Sequence, residues 1–267
     1  MAPQNGNNPA FENYYLDIYG GRWKALRESL LAPPSQTAYG EGLLEPYYLD
    51  RASVLAASSL ILKDHETGEA VKTILDACAA PGGKSLVLAS RMGPGTGLLS
   101  NEFSSQRRRR LAAVLDRYLP PETRARVRVA GFNAAAAAGR KSERGRFDAV
   151  LLDAPCSSER HVLRDEKALA QWTAARPRFL SQRQWSLLSA AFLLLRPGSS
   201  LVYATCALNP EENDGVAGKL MKKYSGSCIL ERPGFPEGEE TAWGRLILPD
   251  VSGGSGPLYV ARFRKKA

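Results

Sequence analysis

Residues 74–85, ILDACAAPGGKS, carry the clearest fold signal in this sequence. A short apolar run leads into two adjacent glycines, and a segment with helical spacing follows. Glycines at such a turn let the backbone approach a ligand closely, and the N-terminus of the next helix favours an anionic group. A phosphate-binding P-loop would need its first glycine where Cys78 stands, so that match fails. The segment predicts a strand, a glycine turn and a helix at a nucleotide site.

The rest of the chain repeats this alternation of short apolar runs and longer helical segments. The runs are residues 73–78, 97–101, 127–130, 149–153 and 200–205, and the helical segments are 84–91, 104–118 and 181–196. Such alternation predicts an α/β fold with a parallel sheet, whose ligands bind at the carboxyl ends of the strands. Residues 257–264 predict one more strand, which can be antiparallel.

Polar residues follow the second and third strands, where a nucleotide would need them. Glu102 comes directly after residues 97–101, and a carboxylate there commonly binds ribose hydroxyls. Asn133 follows the third strand, where a polar side chain can contact adenine. Each feature also has an ordinary explanation: turn geometry for Gly82 and Gly83, helix capping for Glu102 and a loop amide for Asn133. Their order along three strand ends favours the nucleotide site.

Two of the four cysteines follow the last two parallel strands. Cys156 comes after the fourth strand and Cys206 after the fifth, so both are expected over the same crevice. The stretch NPEE at residues 209–212 has the pattern of a helix start, with an N-cap residue, a proline and a glutamate three after the cap. Cys228 is expected to be an inert buried side chain, and the same is the favoured expectation for Cys78. The chain has no C-x-x-C pair, so no metal is expected.

These motifs resemble those of a known enzyme family, the RNA cytosine-C5 methyltransferases of the NOL1/NOP2/Sun (RsmB-like) family. The resemblance covers about residues 11–267 and rests on CAAPGGK at residues 78–84, DAPCS at 153–157, and TC at 205–206 with PEEN at 210–213. It implies a Rossmann-like class I methyltransferase fold with a mostly parallel seven-stranded sheet. It also implies methyl transfer from S-adenosylmethionine to carbon 5 of a cytosine in RNA.

A finer resemblance is to the branch that contains the mitochondrial ribosomal-RNA member. It rests on YYLDIYGGRWKALRESLL at residues 14–31, on Arg160 and His161 after the first cysteine, and on LILPD and GPLYVARFRK near the end. It implies ribosomal RNA as the substrate. Because no separate RNA-binding domain is apparent, a protein partner or a ribosomal particle is expected to help with targeting.

The family resemblance also assigns roles to the site residues. It makes Cys206 the thiolate that adds to carbon 6 of cytosine, because this addition activates carbon 5 toward the methyl donor. It makes Cys156 the residue that assists release, and Asp153 can accept hydrogen bonds from the cytosine amino edge. The residues expected to bind S-adenosylmethionine are Cys78, Ala79, Ala80, Pro81, Gly82, Gly83, Lys84, Glu102, Arg107, Asn133 and Asp153.

Three of these expectations carry more detail. Lys84 is expected to face the methionine carboxylate of the cofactor. Asn133 stands where the family usually has aspartate; its amide oxygen can still accept from the adenine amino group, but weaker cofactor binding is expected. Ala207 replaces the usual serine or threonine after the attacking cysteine, which should matter less.

The first part of the chain is aromatic and is expected to be helical. Phe11, Tyr14, Tyr15, Ile18 and Tyr19 recur at helical spacing, and packing is the expected role of this stripe. Residues 1–9 are expected to be a loose tail, residues 35–50 a loop and residues 51–62 an amphipathic helix. The predicted division is a helical N-terminal extension at residues 1–65 and an S-adenosylmethionine-dependent methyltransferase domain at residues 66–267.

The charge distribution favours RNA as the macromolecular partner. The formal net charge is +9, and residues 101–150 hold twelve Lys and Arg against five Asp and Glu. A target base must leave its stack or come from a single-stranded loop. Part of the basic segment after Cys156 is therefore predicted to lie along the RNA, with a solvated surface as the alternative; its members are Arg160, His161, Arg164, Lys167, Arg176, Arg178 and Arg183.

The sequence start and the cysteine pattern indicate a reducing compartment. Residues 1–9 resemble neither a secretory signal nor a mitochondrial presequence, and no apolar run reaches the ~18 residues of a membrane span. A cytoplasmic protein without a membrane segment is expected, or one of the mitochondrial matrix if a presequence has been removed.

Two other functions remain open at this point. A DNA cytosine-C5 methyltransferase would use Cys156 as the attacking thiol, but such enzymes carry glutamine after the Pro-Cys pair and have no use for Cys206; this chain has Ser157. A catalytically silent RNA-binding or ribosome-assembly factor would keep the fold without the chemistry. The presence of both cysteines and Asp153 disfavours it, and the Asn133 departure is the feature in its favour.

Overall fold

The structure is a computed structural model that describes residues 8–65 and 67–267, so most of the tail predicted at residues 1–9 lies outside the described residues. The α-helices are α1 (Pro9–Tyr19), α2 (Trp23–Leu31), α3 (Arg51–Ser58), α4 (Gly83–Ser90), α5 (Ser105–Tyr118), α6 (Pro121–Arg124), α7 (Ala134–Ala137), α8 (Glu159–Arg164), α9 (Glu166–Ala170), α10 (Ala175–Leu194) and α11 (Asp214–Lys223). The strands are β1 (Thr37–Tyr39), β2 (Tyr47–Leu49), β3 (Thr73–Asp76), β4 (Gly97–Asn101), β5 (Val127–Ala130), β6 (Phe147–Asp153), β7 (Leu195–Thr205), β8 (Cys228–Glu231), β9 (Glu239–Glu240), β10 (Arg245–Ile247) and β11 (Leu258–Lys265).

One large sheet organises the chain. Its strand order is β5-β4-β3-β6-β7-β11-β10-β9, and β8 pairs with β11 beside this row. The first five strands of the row are parallel to one another. β11 is antiparallel to β7, with Tyr259 opposite Thr205. The predicted α/β class, with a mostly parallel central sheet and an antiparallel last strand, is confirmed.

The predicted count of seven strands is wrong, because the described residues contribute nine strands to this sheet. The first half of β11 pairs with β10, which in turn pairs with β9, and the second half of β11 pairs with β8. One edge of β11 therefore pairs with two separate strands, β10 and β8. β9 and β10 are only two and three residues long, too short to show a period of two in the sequence.

Apolar side chains of the strands alternate between two cores, one on each face of the sheet. Ile74 and Leu151 lie in one core, and Leu75 and Val150 lie in the other. Helices α3, α4 and α5 supply the first core, and α7, α10 and α11 supply the second. Because both faces are covered, the carboxyl edge of the parallel strands is left for a ligand site.

The N-terminal helices pack beside that edge. Phe11 and Tyr15 are fully buried, and their ring centroids lie 5.1 Å from Trp172 and 5.2 Å from Trp23, respectively. The predicted packing role of the aromatic stripe is confirmed. The division between residues 65 and 66 stays a prediction.

Several element boundaries differ from the predicted ones. Residues 35–50, predicted as a loop, contain the antiparallel hairpin of β1 and β2. α10 begins at Ala175 rather than at residue 181. The helix can include Pro177 because this residue lies in the first turn, where a missing N–H costs no helical hydrogen bond. α10 also ends before residue 195, where β7 begins, and α3 ends at Ser58 rather than residue 62.

Three further features of the described residues bear on function. No helix in residues 8–65 and 67–267 is both long enough and apolar enough to cross a membrane. Within the same ranges, no group of three or more His, Cys, Asp or Glu side chains is arranged to hold a metal ion. All four cysteines are free thiols.

Candidate active site

The glycine turn after β3 is packed so tightly that side chains do not fit. Gly82 has a φ of +124°, which disfavours other residues, and a Cβ there would lie 2.9 Å from Val114 Cγ1. A Cβ on Gly83 would lie 3.0 Å from Tyr47 Cε1. Gly83 and Lys84, at the start of α4, line a small cavity with Cys78, Ala79, Ala80 and Pro81, which we call the turn cavity. Most of the predicted cofactor loop is therefore one surface.

Asp76, which is not among the predicted site residues, lines the same cavity. Its Oδ2 accepts a hydrogen bond from Ser85 Oγ at 2.7 Å, and its buried Oδ1 has no hydrogen-bond partner among the described residues. Burial raises the pKa of Asp76 to about 7. Ser85 and the backbone N–H of Cys78 stabilise this carboxylate, and its Oδ1 is left to accept from the ammonium group of an amino-acid-like ligand, such as the methionine part of S-adenosylmethionine. The sequence did carry a signal for Asp76, because it is an acidic residue at the end of an apolar run, just before a glycine turn.

Glu102 and Arg107 are joined to the turn by direct contacts. Glu102 is buried, and its Oε2 lies 3.2 Å from Arg107 Nη1. Arg107 Nη2 donates to the carbonyl oxygen of Ala80 at 2.9 Å. Glu102 Oε1 accepts from the backbone N–H of Ser104 at 2.9 Å, but the N-cap of α5 is Ser104 itself, so the capping role considered for Glu102 belongs to Ser104. The structure thus brings these two predicted residues to the turn.

Asn133 is placed differently from the other predicted cofactor residues. Its Oδ1 accepts from Ala135 N at 3.1 Å and caps α7, and its contact with adenine stays a prediction. Asn101, which was not predicted, links three strand ends. Its Oδ1 accepts from Phe132 N at 2.9 Å, and its Nδ2 donates to Ala77 O at 3.0 Å. Asn101 therefore fixes the spacing of this edge.

Lys84 and Asp153 form the boundary between the turn cavity and a larger cleft. Lys84 Nζ lies 2.8 Å from Asp153 Oδ2 and donates to Ser53 Oγ at 3.1 Å. Burial lowers the pKa of Lys84, but the Asp153 carboxylate outweighs this effect, so the pKa is raised above its ordinary value. The same three side chains line a cleft of about 480 Å³ that also contains Cys206, which we call the cysteine cleft. Groups bound in the two cavities would meet at Asp153.

The two predicted catalytic cysteines are in contact, because their strands β6 and β7 are parallel neighbours. Cys156 Sγ lies 2.9 Å from Cys206 Sγ, and Ser158 Oγ lies 3.2 Å from Cys206 Sγ. Hydrogen bonds from Cys156 and Ser158 lower the pKa of Cys206. The hydrogen bond to Cys206, together with burial, raises the pKa of Cys156. Cys206 is therefore the more acidic thiol of the pair, and Cys156 is the one that keeps its proton to higher pH. Burial raises the pKa of Cys78 to about 12, in keeping with an inert thiol.

Glu212 holds the Cys156 loop against the segment after Cys206. Its Oε2 accepts from Ser157 N at 3.0 Å and from Gln184 Nε2 at 2.6 Å, and its Oε1 accepts from Asn209 Nδ2 at 2.6 Å. The carboxylate is fully buried, which raises its pKa. Three donors from three segments therefore converge on one acid.

Glu159 is a second buried acid that joins the same loops, and sequence reasoning missed it. Its Oε1 accepts hydrogen bonds from Tyr15 Oη at 2.5 Å and from Ser157 Oγ, and its Oε2 accepts from Leu208 N at 3.0 Å. It ties α1, the Cys156 loop and the segment after Cys206 together. A charged residue next to a predicted active-site loop gave no signal, because such residues are usually exposed.

A helix does follow Cys206, but its predicted start at residues 209–212 is wrong, because α11 begins at Asp214. Residues 209–213 form a turn, although Glu212 N does donate to Asn209 Oδ1 at 3.1 Å as an N-cap would require. The Glu212 side chain is drawn inward to the Cys156 loop. Asn213 Nδ2 donates to Ala207 O at 2.9 Å, which fixes the turn close to Cys206.

The basic segment after Cys156 is divided by the structure. Arg160, His161 and Arg164 line the cysteine cleft. Arg164 also donates to the carbonyl oxygens of Leu30 and Leu31 at the end of α2, so part of its role is structural. The remaining members, Lys167, Arg176, Arg178 and Arg183, are exposed on α9 and α10.

Comparison with known proteins identifies relatives along most of the chain. A family profile described as 16S rRNA methyltransferase RsmB/F matches residues 59–264. The protein called Ribosomal RNA small subunit methyltransferase F from Erwinia tasmaniensis is 33% identical over 252 residues, 92% of this chain and 50% of that protein. The protein of the same name from Klebsiella pneumoniae is 36% identical over 226 residues, 83% of this chain and 45% of that protein. The chain thus spans about half the length of the curated relatives it matches.

Solved structures share the fold. A methyltransferase homolog protein from Pyrococcus horikoshii has a TM-score of 0.73 at 21% identity, covering 99% of this chain and 97% of that one. The NSun6 structure from the same organism has a TM-score of 0.67 at 22% identity, covering 85% of this chain and 54% of that one. The strand order places the glycine turn and both cysteine loops at one edge, and the family profile covers that whole arrangement. The chain belongs to the RsmB/F family of 16S rRNA methyltransferases.

Proposed function

We propose that this chain methylates carbon 5 of a cytosine in ribosomal RNA, with S-adenosylmethionine as the methyl donor. The observation that carries the proposal is the Cys156–Cys206 pair. The two sulfur atoms lie 2.9 Å apart, and Cys206 lines the cleft that Asp153 shares with the turn cavity. Membership of the RsmB/F family supports it independently.

The turn cavity has the donors and acceptors that the cofactor needs. S-adenosylmethionine supplies an electrophilic methyl group when it is bound. Asp76 Oδ1 accepts from its ammonium group, and Glu102 accepts from the ribose hydroxyls. The Cys78–Gly83 backbone and Lys84 hold the remaining polar groups, with Lys84 assigned to the carboxylate. Asn133 is assigned to the adenine.

Cys206 begins the reaction as the attacking thiolate. It forms a bond to carbon 6 of cytosine, and the electron pair released onto the ring makes carbon 5 nucleophilic. Asp153 accepts a hydrogen bond from the cytosine amino group and holds the ring at the boundary of the two cavities. Lys84, 2.8 Å from Asp153, pairs with that carboxylate and orients it.

Cys156 completes the reaction as the base that receives the carbon-5 proton. The hydrogen bond to Cys206 is the leading cause of its raised pKa, and the adduct removes that thiolate. The Cys156 thiol becomes more acidic at that moment, because its sulfur no longer faces a negative charge. Once its own proton is lost to solvent, it accepts the carbon-5 proton, the C6–S bond breaks and the Cys206 thiolate returns.

Small-subunit ribosomal RNA is the substrate we propose, because the matched relatives are named for it. These relatives are bacterial, which favours the bacterial branch over the mitochondrial branch. The exposed arginines of α10 and the cleft residues Arg160 and His161 contact the phosphates of a single-stranded loop. A partner protein or a ribosomal particle presents that loop, and the two free thiols require a reducing, cytoplasm-type compartment.

The test is methyl transfer combined with covalent trapping. Wild-type protein, Cys206→Ala and Cys156→Ala are incubated with labelled S-adenosylmethionine and either naked ribosomal RNA or small ribosomal subunits. We expect transfer by the wild type, no transfer by Cys206→Ala, and denaturation-resistant RNA adducts that accumulate with Cys156→Ala. Adducts that require Cys156 instead would replace this mechanism with the DNA-type one.

The second candidate function is a silent assembly factor, favoured only by the capping role of Asn133 Oδ1. It predicts that the wild type binds RNA but neither binds S-adenosylmethionine nor transfers its methyl group. Calorimetry with the cofactor separates the two, because a methyltransferase without its correct RNA still binds the cofactor.

A further inference from the structure

Ser158 is the only non-glycine residue of the described chain with a left-handed backbone, with a φ of 56° and a ψ of 57°. A side chain in this conformation costs on the order of 1 kcal/mol, and serine is not among the residues that tolerate it best. Such strain persists where the surroundings fix the backbone, and it is concentrated at functional sites. The position of its hydroxyl therefore needs an explanation.

The backbone on both sides of Ser158 is held by buried acids. Ser157 donates its N–H to Glu212 and its hydroxyl to Glu159. Glu159 itself is fully buried, and its carboxylate is held from outside the loop by Tyr15 and Leu208. These contacts leave Ser158 little freedom to relax to a negative φ.

The result of this conformation is that the Ser158 hydroxyl faces both sulfur atoms. Its Oγ lies 3.2 Å from Cys206 Sγ and 3.5 Å from Cys156 Sγ. A hydroxyl has one proton to donate, and the nearer sulfur, that of Cys206, is also the more acidic of the two. Cys206 Sγ then accepts two hydrogen bonds, one from Cys156 and one from Ser158.

We propose that Ser158 is a further functional residue of this site, whose hydroxyl donates a hydrogen bond to the Cys206 thiolate and holds it ready for attack. The inference rests on the proposed function, in which Cys206 attacks the base. No proton is transferred in this step, because the serine keeps its proton throughout. When Cys206 bonds to carbon 6, the hydroxyl is released to its other neighbours, the Cys156 sulfur and the Cys156 carbonyl oxygen at 3.4 Å.

Lys84 attracts a Cys206 thiolate by charge, but the groups in direct contact with the sulfur are neutral donors. Burial and the charges of Asp153 and Glu159 oppose a thiolate at Cys206. Lys84 is turned toward Asp153, with which it forms an ion pair. The other titratable groups that line the cysteine cleft are Asp50, Arg160, His161 and Arg164. Two hydrogen bonds, from Cys156 and Ser158, are therefore the contacts that favour the ionised sulfur.

The test measures the reactivity of Cys206 directly and needs neither RNA nor cofactor. Wild-type protein, Ser158→Ala and Ser158→Gly are treated with iodoacetamide from pH 6 to pH 10, and alkylation of Cys206 is followed by mass spectrometry of its peptide. We expect the midpoint of the pH profile to move upward in both variants, with alkylation at pH 7 about fivefold slower or more. Methyl transfer should lose kcat while KM for RNA stays the same.

The two variants separate the hydroxyl from the backbone. Both lack the hydroxyl, but only glycine relieves the left-handed conformation, so Ser158→Gly should unfold at a higher temperature than Ser158→Ala. A wild-type midpoint in both variants would overturn the inference, and so would a shift in Ser158→Ala alone, because backbone distortion would then be the cause. Slow alkylation of the buried Cys228 reports that each variant is folded.

This experiment and the test of the proposed function fail independently. If no RNA is methylated by the wild type, the alkylation profiles still decide whether Ser158 stabilises the Cys206 thiolate. If the profiles are unchanged while RNA is methylated, the proposed function stands and the role of Ser158 is wrong.

Discussion

Lys84 Nζ lies 2.8 Å from Asp153 Oδ2, at the wall between the turn cavity and the cysteine cleft. The side chain of Lys84 is 13% exposed and that of Asp153 is 28% exposed. A residue predicted to bind the cofactor is thus paired with one predicted to bind the target base. The ion pair couples the two halves of the site.

The ion pair predicts unequal effects when either partner is removed. Asp153→Asn leaves the more buried charge of Lys84 unpaired, so we expect a loss of about 2–3 kcal/mol in the free energy of unfolding. Lys84→Met leaves the better solvated Asp153 unpaired, and the loss should be smaller. Urea unfolding of both variants and of the double variant measures these values. Equal losses from the two single variants would contradict the predicted asymmetry.

The Cys156–Cys206 contact predicts which thiol reacts and how the other controls it. The pKa of Cys206 is lowered from the ordinary cysteine value of 9.0, so at pH 7 a larger fraction of Cys206 than of an ordinary cysteine is thiolate. Because the thiolate is the reactive form, iodoacetamide should label Cys206 before Cys156 at pH 7. Cys156→Ala removes the leading hydrogen bond, so labelling of Cys206 at pH 7 should slow by about fivefold or more. Faster labelling of Cys156 in the wild type would reverse the assignment.

Asp76 predicts a pH dependence of cofactor binding. Its pKa of about 7 in the folded protein lies above the ordinary 3.8, so between these values the folded state retains a proton that the unfolded chain has released. Its contribution to stability therefore falls as pH rises through this window. The ionised form accepts from the cofactor's ammonium group, so affinity for S-adenosylhomocysteine should rise about tenfold from pH 6 to pH 8. Calorimetry with Asp76→Asn as the comparison should show weak binding without that rise.

Substitution of the buried Glu212 should lower the free energy of unfolding, whereas substitution of its exposed neighbour Glu211 should not. Glu212→Gln replaces one acceptor oxygen with a donor that faces Ser157 N, Gln184 Nε2 or Asn209 Nδ2, so we expect a loss of about 2 kcal/mol and lower methyl transfer. Glu211→Gln is the matched control, and because Glu211 is exposed it should change stability by less than about 0.5 kcal/mol. If both variants unfold at the same urea concentration, Glu212 does not hold the loops together.

Much of the fold was predictable because strand and helix periodicity are local properties of the sequence. The limits of β4 and β5 were predicted to the residue, and the parallel direction of the main strands followed from the alternation of elements. β9 and β10 were missed because their pairing depends on β11, which lies farther along the chain. The start of α11 was misplaced because the Glu212 side chain is held by the Cys156 loop instead of continuing a helix.

The sequence by itself determined the chemical types and their order: a glycine turn, acids at two strand ends, and two cysteines after neighbouring strands. These patterns are short-range, and the same motifs indicated the family to which the chain belongs. Tertiary structure alone decided the rest. It explains why Cys206 is the more acidic of the two thiols, because that depends on a 2.9 Å contact between residues fifty positions apart. It also turned Glu159, Asn101 and Ser158 into parts of the site, because burial and hydrogen bonding are fixed only once distant segments pack together.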